Sequence, residues 1–166
     1  MKGFTFIEII VYISVFAVLS VIAVNTLLVV HSSLAEIRAT RQLNATAAVA
    51  MERIIRTIRD AASVNVPAST FNVSPGVLSL TGSESPALTR QFLMAGTALV
   101  ADAGAGQTAI LTPPGVAVTN LVFRLIVASS TAQAVRVELT LAASTGRATT
   151  TQNFYGTAVL RNSYVQ

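Results

Sequence analysis

Glycine and proline are absent from the chain between Phe4 and Val66. Eight of the nine glycines and all five prolines come after Val66. Because these two residues are the strongest helix breakers, their absence over about sixty positions favours one continuous helix. We predict this helix from Phe6 to about Ala62, a length of about 85 Å at a rise of about 1.5 Å per residue.

The first half of the predicted helix is apolar on every side. The run from Ile9 to Val30 is almost unbroken, and about 20 apolar residues suffice to cross a bilayer as a helix. Glu8 stands directly before this run, and the span holds no other charged residue. An ionised carboxylate beside lipid is costly, so Glu8 is a functional candidate that needs a partner. The alternative without function is that Glu8 reaches the headgroups at the lipid–water boundary.

The second half of the predicted helix is amphipathic. Beyond His31, apolar residues recur mainly at spacings of three and four, and charged residues fill the other side. These apolar positions are Leu34, Ile37, Ala47, Met51, Ile54, Ile55 and Ile58. We therefore predict that residues 4–33 span a membrane, while residues 34–62 pack one face against a core.

The remainder of the chain, residues 67–166, predicts β-strands separated by turns. Apolar and polar side chains alternate most clearly from Ala134 to Leu141, and Val118 to Val127 is the expected hairpin partner with Ala128 to Ala132 as its turn. Further strands are expected at Gln152–Leu160, Val77–Thr81, Arg90–Met94, Thr97–Ala101 and Thr108–Thr112. An antiparallel sheet packed on the amphipathic half of the helix would bury the apolar faces of both the strands and the helix. The predicted fold class is therefore α+β.

One ionic interaction is expected across the predicted hairpin. Arg124, Arg136 and Glu138 fall on the same outer face of the two strands. Because side chains on one face of adjacent strands contact each other, Glu138 is expected to pair with either arginine.

The segment Lys2-Gly3-Phe4-Thr5-Phe6-Ile7-Glu8, followed by the long apolar helix, resembles the class III leader and N-terminus of type IV pilins and pseudopilins. In that family a membrane aspartic peptidase cuts after the glycine and methylates the new N-terminal residue. The resemblance implies that residues 1–3 are a leader peptide, that cleavage follows Gly3, and that Phe4 becomes N-methylated. It also implies that Glu8 is the acid that meets the α-amine of a neighbouring subunit during assembly.

The resemblance extends to the fold and the function. It implies a ladle shape, with the apolar helix half protruding from a globular domain of residues 34–166, and residues 118–163 are similar to the minor pilins of the PilW and GspJ type. The implied function is a structural minor subunit of a type IV pilus-like filament, in its shaft or its initiating tip complex. The implied partners are other pilin subunits, the prepilin peptidase and the assembly platform. The implied location is the cytoplasmic (inner) membrane as a single-pass protein, then an extracellular pilus or periplasmic pseudopilus.

The sequence departs from the family pattern at three places. Phe6 stands where the family most often has leucine, and the leader of residues 1–3 is short enough to leave open a start codon upstream. Asn25 occupies the place where major pilins commonly carry a helix-kinking proline. This last departure favours a minor subunit.

Other functions remain open at this point. A secretory signal peptide is a competing interpretation, but its apolar region usually spans about 7 to 15 residues and carries no acid at its front. A plain membrane anchor leaves Gly3 and Glu8 unexplained. The pseudopilin of a type II secretion system shares every helix feature. A membrane-tethered extracytoplasmic binding domain that does not polymerise is the alternative from another functional class.

The side chains available for chemistry are few. The chain has no cysteine, its single His31 lies where the span should end, and its seven acids are scattered without metal-ligand spacing. Residues 102–106 lack the lysine and helix of a phosphate-binding loop and predict a surface loop. Acids interleave with the helix arginines and no aromatic residues stand among them to stack bases, so nucleic acid is not an expected partner. We predict no enzymatic activity, no cofactor and no metal.

Overall fold

The computed structural model describes residues 5–83, 88–104, 106–127, 133–145 and 148–161. Within these ranges one long N-terminal α-helix is followed by a series of β-strands, which confirms the α+β class. The chain divides into two compact units, Met1–Arg38 and Ala39–Gln166. The predicted hairpin turn at residues 128–132 lies outside the described residues.

Helix α1 extends from Phe6 to Asp60, within two residues of the predicted bounds. Its buried residues begin at Ala39 and recur at the three- and four-residue spacing of one helical face. They are Ala39, Leu43, Thr46, Ala47, Ala50, Met51, Ile54 and Ile58. Leu34 and Ile37, which continue the same pattern toward the N-terminus, are both 48% exposed. The buried stripe therefore starts where the second unit starts.

The strands form two antiparallel sheets, where the sequence predicted one. The first sheet has the order β1-β2-β3-β4-β5 and the second has the order β6-β7-β8. Their bounds are Ala61–Val64, Leu78–Gly82, Thr89–Ala95, Ala98–Asp102, Thr108–Ile110, Val116–Val127, Gln133–Thr145 and Ala148–Val159. Seven of these strands overlap the predicted ones. Strand β1 and the short 3-10 helix Val66–Ala68 that follows it were not predicted.

Strand β7 has the alternating burial that the sequence predicts, whereas three consecutive residues of β6, Leu121 to Phe123, are buried. Val135, Val137, Leu139 and Leu141 on β7 are all buried. Phe123 on β6 lies opposite Val137 and is also buried, whereas Val127 at the end of the same strand is 59% exposed. Burial on β6 therefore ends where the strand passes beyond the core.

The second unit has one hydrophobic core, shared by the buried face of α1 and by strands of both sheets. Helix α1 and strand β8 approach each other closely at Gly156. A Cβ atom added there would lie 2.5 Å from Cε of Met51 and 3.0 Å from Cδ1 of Ile55. Glycine at this position therefore lets the helix pack closely on the three-stranded sheet.

A loop covers the outer edge of β6. The N–H group of Asn72 donates to the carbonyl of Phe123 at 2.9 Å, and the N–H group of Gly76 donates to the carbonyl of Leu121 at 2.8 Å. These bonds satisfy backbone groups that an edge strand would otherwise leave unpaired.

Candidate functional site

The candidate site is the first two turns of α1, around the carboxylate of Glu8. Glu8 lies in the first turn of the helix, where the positive end of the helix dipole favours an acid. The hydroxyl of Tyr12 donates a hydrogen bond to Oε1 of Glu8 over 3.4 Å. Helical side chains lean toward the N-terminus, so the residue one turn later covers the turn that carries Glu8.

The helix surface around and beyond this site is apolar and exposed. From Phe6 to Val30 the large apolar side chains of α1 are between 46% and 80% exposed. Helix α1 is long and apolar enough to cross a membrane, and none of its most apolar segment is buried in the chain itself. A helix that is hydrophobic all round is stable in lipid or against other helices, but not in water.

The hydroxyl groups within this apolar segment bond to the helix that carries them. Ser14 donates to the carbonyl of Val11 at 2.8 Å, and Ser20 donates to the carbonyl of Phe16 at 2.8 Å. Thr26 does the same with the carbonyl of Ile22 at 2.9 Å. Because lipid offers no hydrogen-bonding partners, such internal bonds let polar side chains reside in a membrane span.

The predicted cleavage and methylation residues, Gly3 and Phe4, lie outside the described residues. Both assignments stay predictions. Glu8 is placed in a regular helix with its carboxylate beside Tyr12, a contact that the sequence analysis missed. The signal that could have found it is the i,i+4 spacing, which brings two side chains together on one helix face.

The described residues do not bring metal-binding side chains together. Within the described ranges there is no group of three or more His, Cys, Asp and Glu side chains that could hold a metal ion. In the loop after β4, Oδ1 of Asp102 accepts the N–H of Gly104 at 2.9 Å. The carboxylate therefore closes the loop on itself and places a negative charge where a phosphate would have to bind.

Two arginines of the second helix half, Arg53 and Arg56, line a cavity of about 480 Å³ in the second unit. Its charged lining residues are Arg53, Arg56, Arg90, Glu52, Asp60 and Asp102. Three acids accompany three arginines, so their formal charges cancel. A cavity with this balance has no excess positive charge to attract a nucleic-acid backbone.

The outer face of the three-stranded sheet carries a three-residue ionic cluster. Nε of Arg124 lies 2.9 Å from Oε1 of Glu138, and its Nη2 lies 3.3 Å from Oε2, which makes the pair bidentate. Nε of Arg136 lies 3.3 Å from the same Oε1. The sequence predicted a pair with either arginine, and the structure has both. The hydrogen bond from Arg124 lowers the pKa of Glu138 below its ordinary value, against a smaller opposing effect of desolvation.

We predict a pH-dependent contribution of this cluster to stability. Because the folded-state pKa of Glu138 is lowered, its contribution is present above the ordinary glutamate pKa of about 4.3 and is lost as the pH falls through the folded-state value. Glu138→Gln should therefore be less stable than the parent at neutral pH, and the difference should shrink in acid. Urea unfolding of the full chain in detergent, at neutral and acidic pH, measures this. Glu36→Gln, an exposed acid of the first unit, is the control, and a difference that does not change with pH would contradict the prediction.

Taken together, the apolar helix segment, the single acid at its head and its tyrosine neighbour form a surface suited to lipid or to other helices. Comparison with protein-family models, with curated proteins and with solved structures gives no match.

Proposed function

We propose that this chain is a structural minor subunit of a type IV pilus-like filament. Before assembly it resides in the cytoplasmic membrane through residues 4–33. The observation that carries the proposal is Glu8, a lone acid at the head of a helix segment whose large apolar side chains are all exposed. A plain membrane anchor has no use for a carboxylate there, whereas an assembling helix does.

Cleavage of the leader peptide supplies the positive charge that pairs with Glu8. Cleavage after Gly3 by a prepilin peptidase creates an α-amine on Phe4, and methylation of an amine leaves its positive charge in place. The amine of one subunit then pairs with Glu8 of its neighbour. Two opposite charges buried together are tolerated where one alone is strongly destabilising, so this pair selects the correct register between subunits.

The apolar helix surface supplies the remaining contacts between subunits. Lipid tails are as apolar as leucine, so helices in a membrane associate through close packing and polar contacts. Transfer of the helix from lipid into a filament exchanges one apolar environment for another. An assembly platform in the membrane supplies the work of extraction. The second unit, with its α+β core, is the part that faces other molecules outside the membrane.

The chemistry of the mature N-terminus tests the proposal. Mass spectrometry of the chain purified from cells should find a methylated Phe4 as the first residue. Gly3→Val should leave the leader attached, because a branched side chain replaces the smallest one at the cleaved bond. An N-terminus that retains Met1 would instead indicate a membrane-tethered binding domain, and a new N-terminus near Glu36 would indicate a secretory signal peptide.

Filament imaging distinguishes a subunit of an extracellular pilus from a subunit of a secretion pseudopilus. Antibodies against the second unit should label extracellular fibres if the chain belongs to a pilus. Label confined to the periplasm, together with a protein-secretion defect in the deletion strain, would assign it to a secretion pseudopilus.

A further inference from the structure

The proposed pairing of Glu8 with the α-amine of a neighbouring subunit does not by itself require the contact between Tyr12 and Glu8. Among the described residues, Tyr12 is the one whose side chain donates a hydrogen bond to Glu8. The donor is the phenol hydroxyl, the acceptor is Oε1, and the two residues stand one helical turn apart. Tyrosine has an apolar ring and a polar tip, which suits a site at the boundary of the bilayer.

The carboxylate needs this donor most before assembly. In the membrane, a chain that has not met a neighbour has no amine opposite Glu8. An acid at the end of a span otherwise extends toward the headgroups, away from the surface that another helix would contact. A hydrogen bond from a hydroxyl to an ionised carboxylate is about 2.5–2.7 Å long and is stronger than one between neutral groups. The 3.4 Å contact must therefore shorten in the membrane for the Tyr12 hydroxyl to hold the carboxylate against the helix.

We propose that Tyr12 is a positioning residue for Glu8. In the membrane-resident chain its hydroxyl holds Oε1 on the surface of α1, and Oε2 remains available for the cation of the next subunit. A carboxylate has about four lone-pair sites, so the amine and the phenol can bind it together. This inference depends on the proposed function, since it assigns Tyr12 a role in presenting Glu8 for assembly.

The first test examines the contact itself, without any filament. Tyr155→Phe and Tyr164→Phe leave Tyr12 as the remaining tyrosine of the full chain. Ultraviolet resonance Raman spectra of this chain in lipid bilayers report whether the phenol donates a hydrogen bond. Glu8→Leu should change the ring doublet of Tyr12, and the matched variant Glu36→Leu should not. Identical spectra for the parent and Glu8→Leu would overturn the proposal.

The second test examines the role of the contact in assembly. Tyr12→Phe removes one hydroxyl and keeps the ring, so it should lower incorporation into filaments about fivefold, the equilibrium equivalent of one net hydrogen bond. Ser20→Ala is the matched control, because it removes a hydroxyl that donates to the carbonyl of Phe16. Incorporation is measured as the ratio of tagged chain to untagged parent in sheared filaments.

The outcomes separate this inference from the proposed function. If Tyr12→Phe enters filaments as well as the parent does, the positioning role is wrong and the proposed function stands. If Phe4 is never methylated and the parent chain never enters a filament, the proposed function fails, while the Raman result still decides whether Tyr12 binds Glu8.

Discussion

Glu8→Gln is expected to be processed normally and to enter filaments more than about 100-fold less efficiently than the parent chain. Glutamine has nearly the same shape but no charge, so in the proposed filament the α-amine of the neighbouring subunit would be buried without a counter-ion. Breaking a buried ion pair by removing one partner costs about 3 to 5 kcal/mol, which sets the size of the expected loss. Cleavage is expected to be unaffected, because the predicted cleavage site after Gly3 lies five residues before Glu8 in the sequence.

The measurement compares the amounts of chain in membranes and in sheared filaments, with all other subunits present. Glu36→Gln is the matched control, since it neutralises an exposed acid on the same helix. If Glu8→Gln entered filaments as efficiently as this control, the charge at position 8 would not be the assembly determinant. A result in which Glu8→Gln is also left unprocessed would place the residue in peptidase recognition instead.

Phe123→Ala is expected to destabilise the second unit by about 3 to 5 kcal/mol, the usual cost of truncating a buried phenylalanine. The side chain is fully buried on β6, in the core shared by both sheets and α1. Its removal leaves a cavity that the surrounding side chains fill only in part. A loss of this size is a large fraction of the stability of an ordinary domain.

Pulse proteolysis in urea measures this loss, because the protease cuts the unfolded fraction at each urea concentration. Ile126→Ala is the control on the same strand, where the side chain is 44% exposed and should contribute much less. Equal shifts of the urea midpoint for the two variants would show that Phe123 does not occupy the core.

The helix and most strands could be predicted because their signals are local. The absence of glycine and proline predicts an end of α1 at about Ala62, within two residues of its observed end at Asp60. Period-two alternation located β7 and its partner β6, whose register places Arg124 opposite Arg136. Glu8 was equally visible, since a single acid beside an apolar run requires no knowledge of the fold.

The elements that were missed depend on contacts between distant parts of the chain. Strand β1 has only four residues, and Val64 pairs with Leu80 far along the sequence. Nothing in its composition marks it as a strand directly after a helix. The hydrogen bond of Tyr12 was missed for a different reason, since its spacing is local but nothing else in an apolar span draws attention to one hydroxyl.

The sequence by itself determined helix α1, strands β2 to β8 and the membrane-compatible character of the first helix segment, because helix breakers, alternation and hydropathy act over a few residues. Only the tertiary structure decided that the strands form two sheets, that Glu138 binds both arginines, and that Gly156 lies under Met51. These depend on register and on packing between segments distant in the chain. Many pairings satisfy the same local preferences, and the shared core favours one of them.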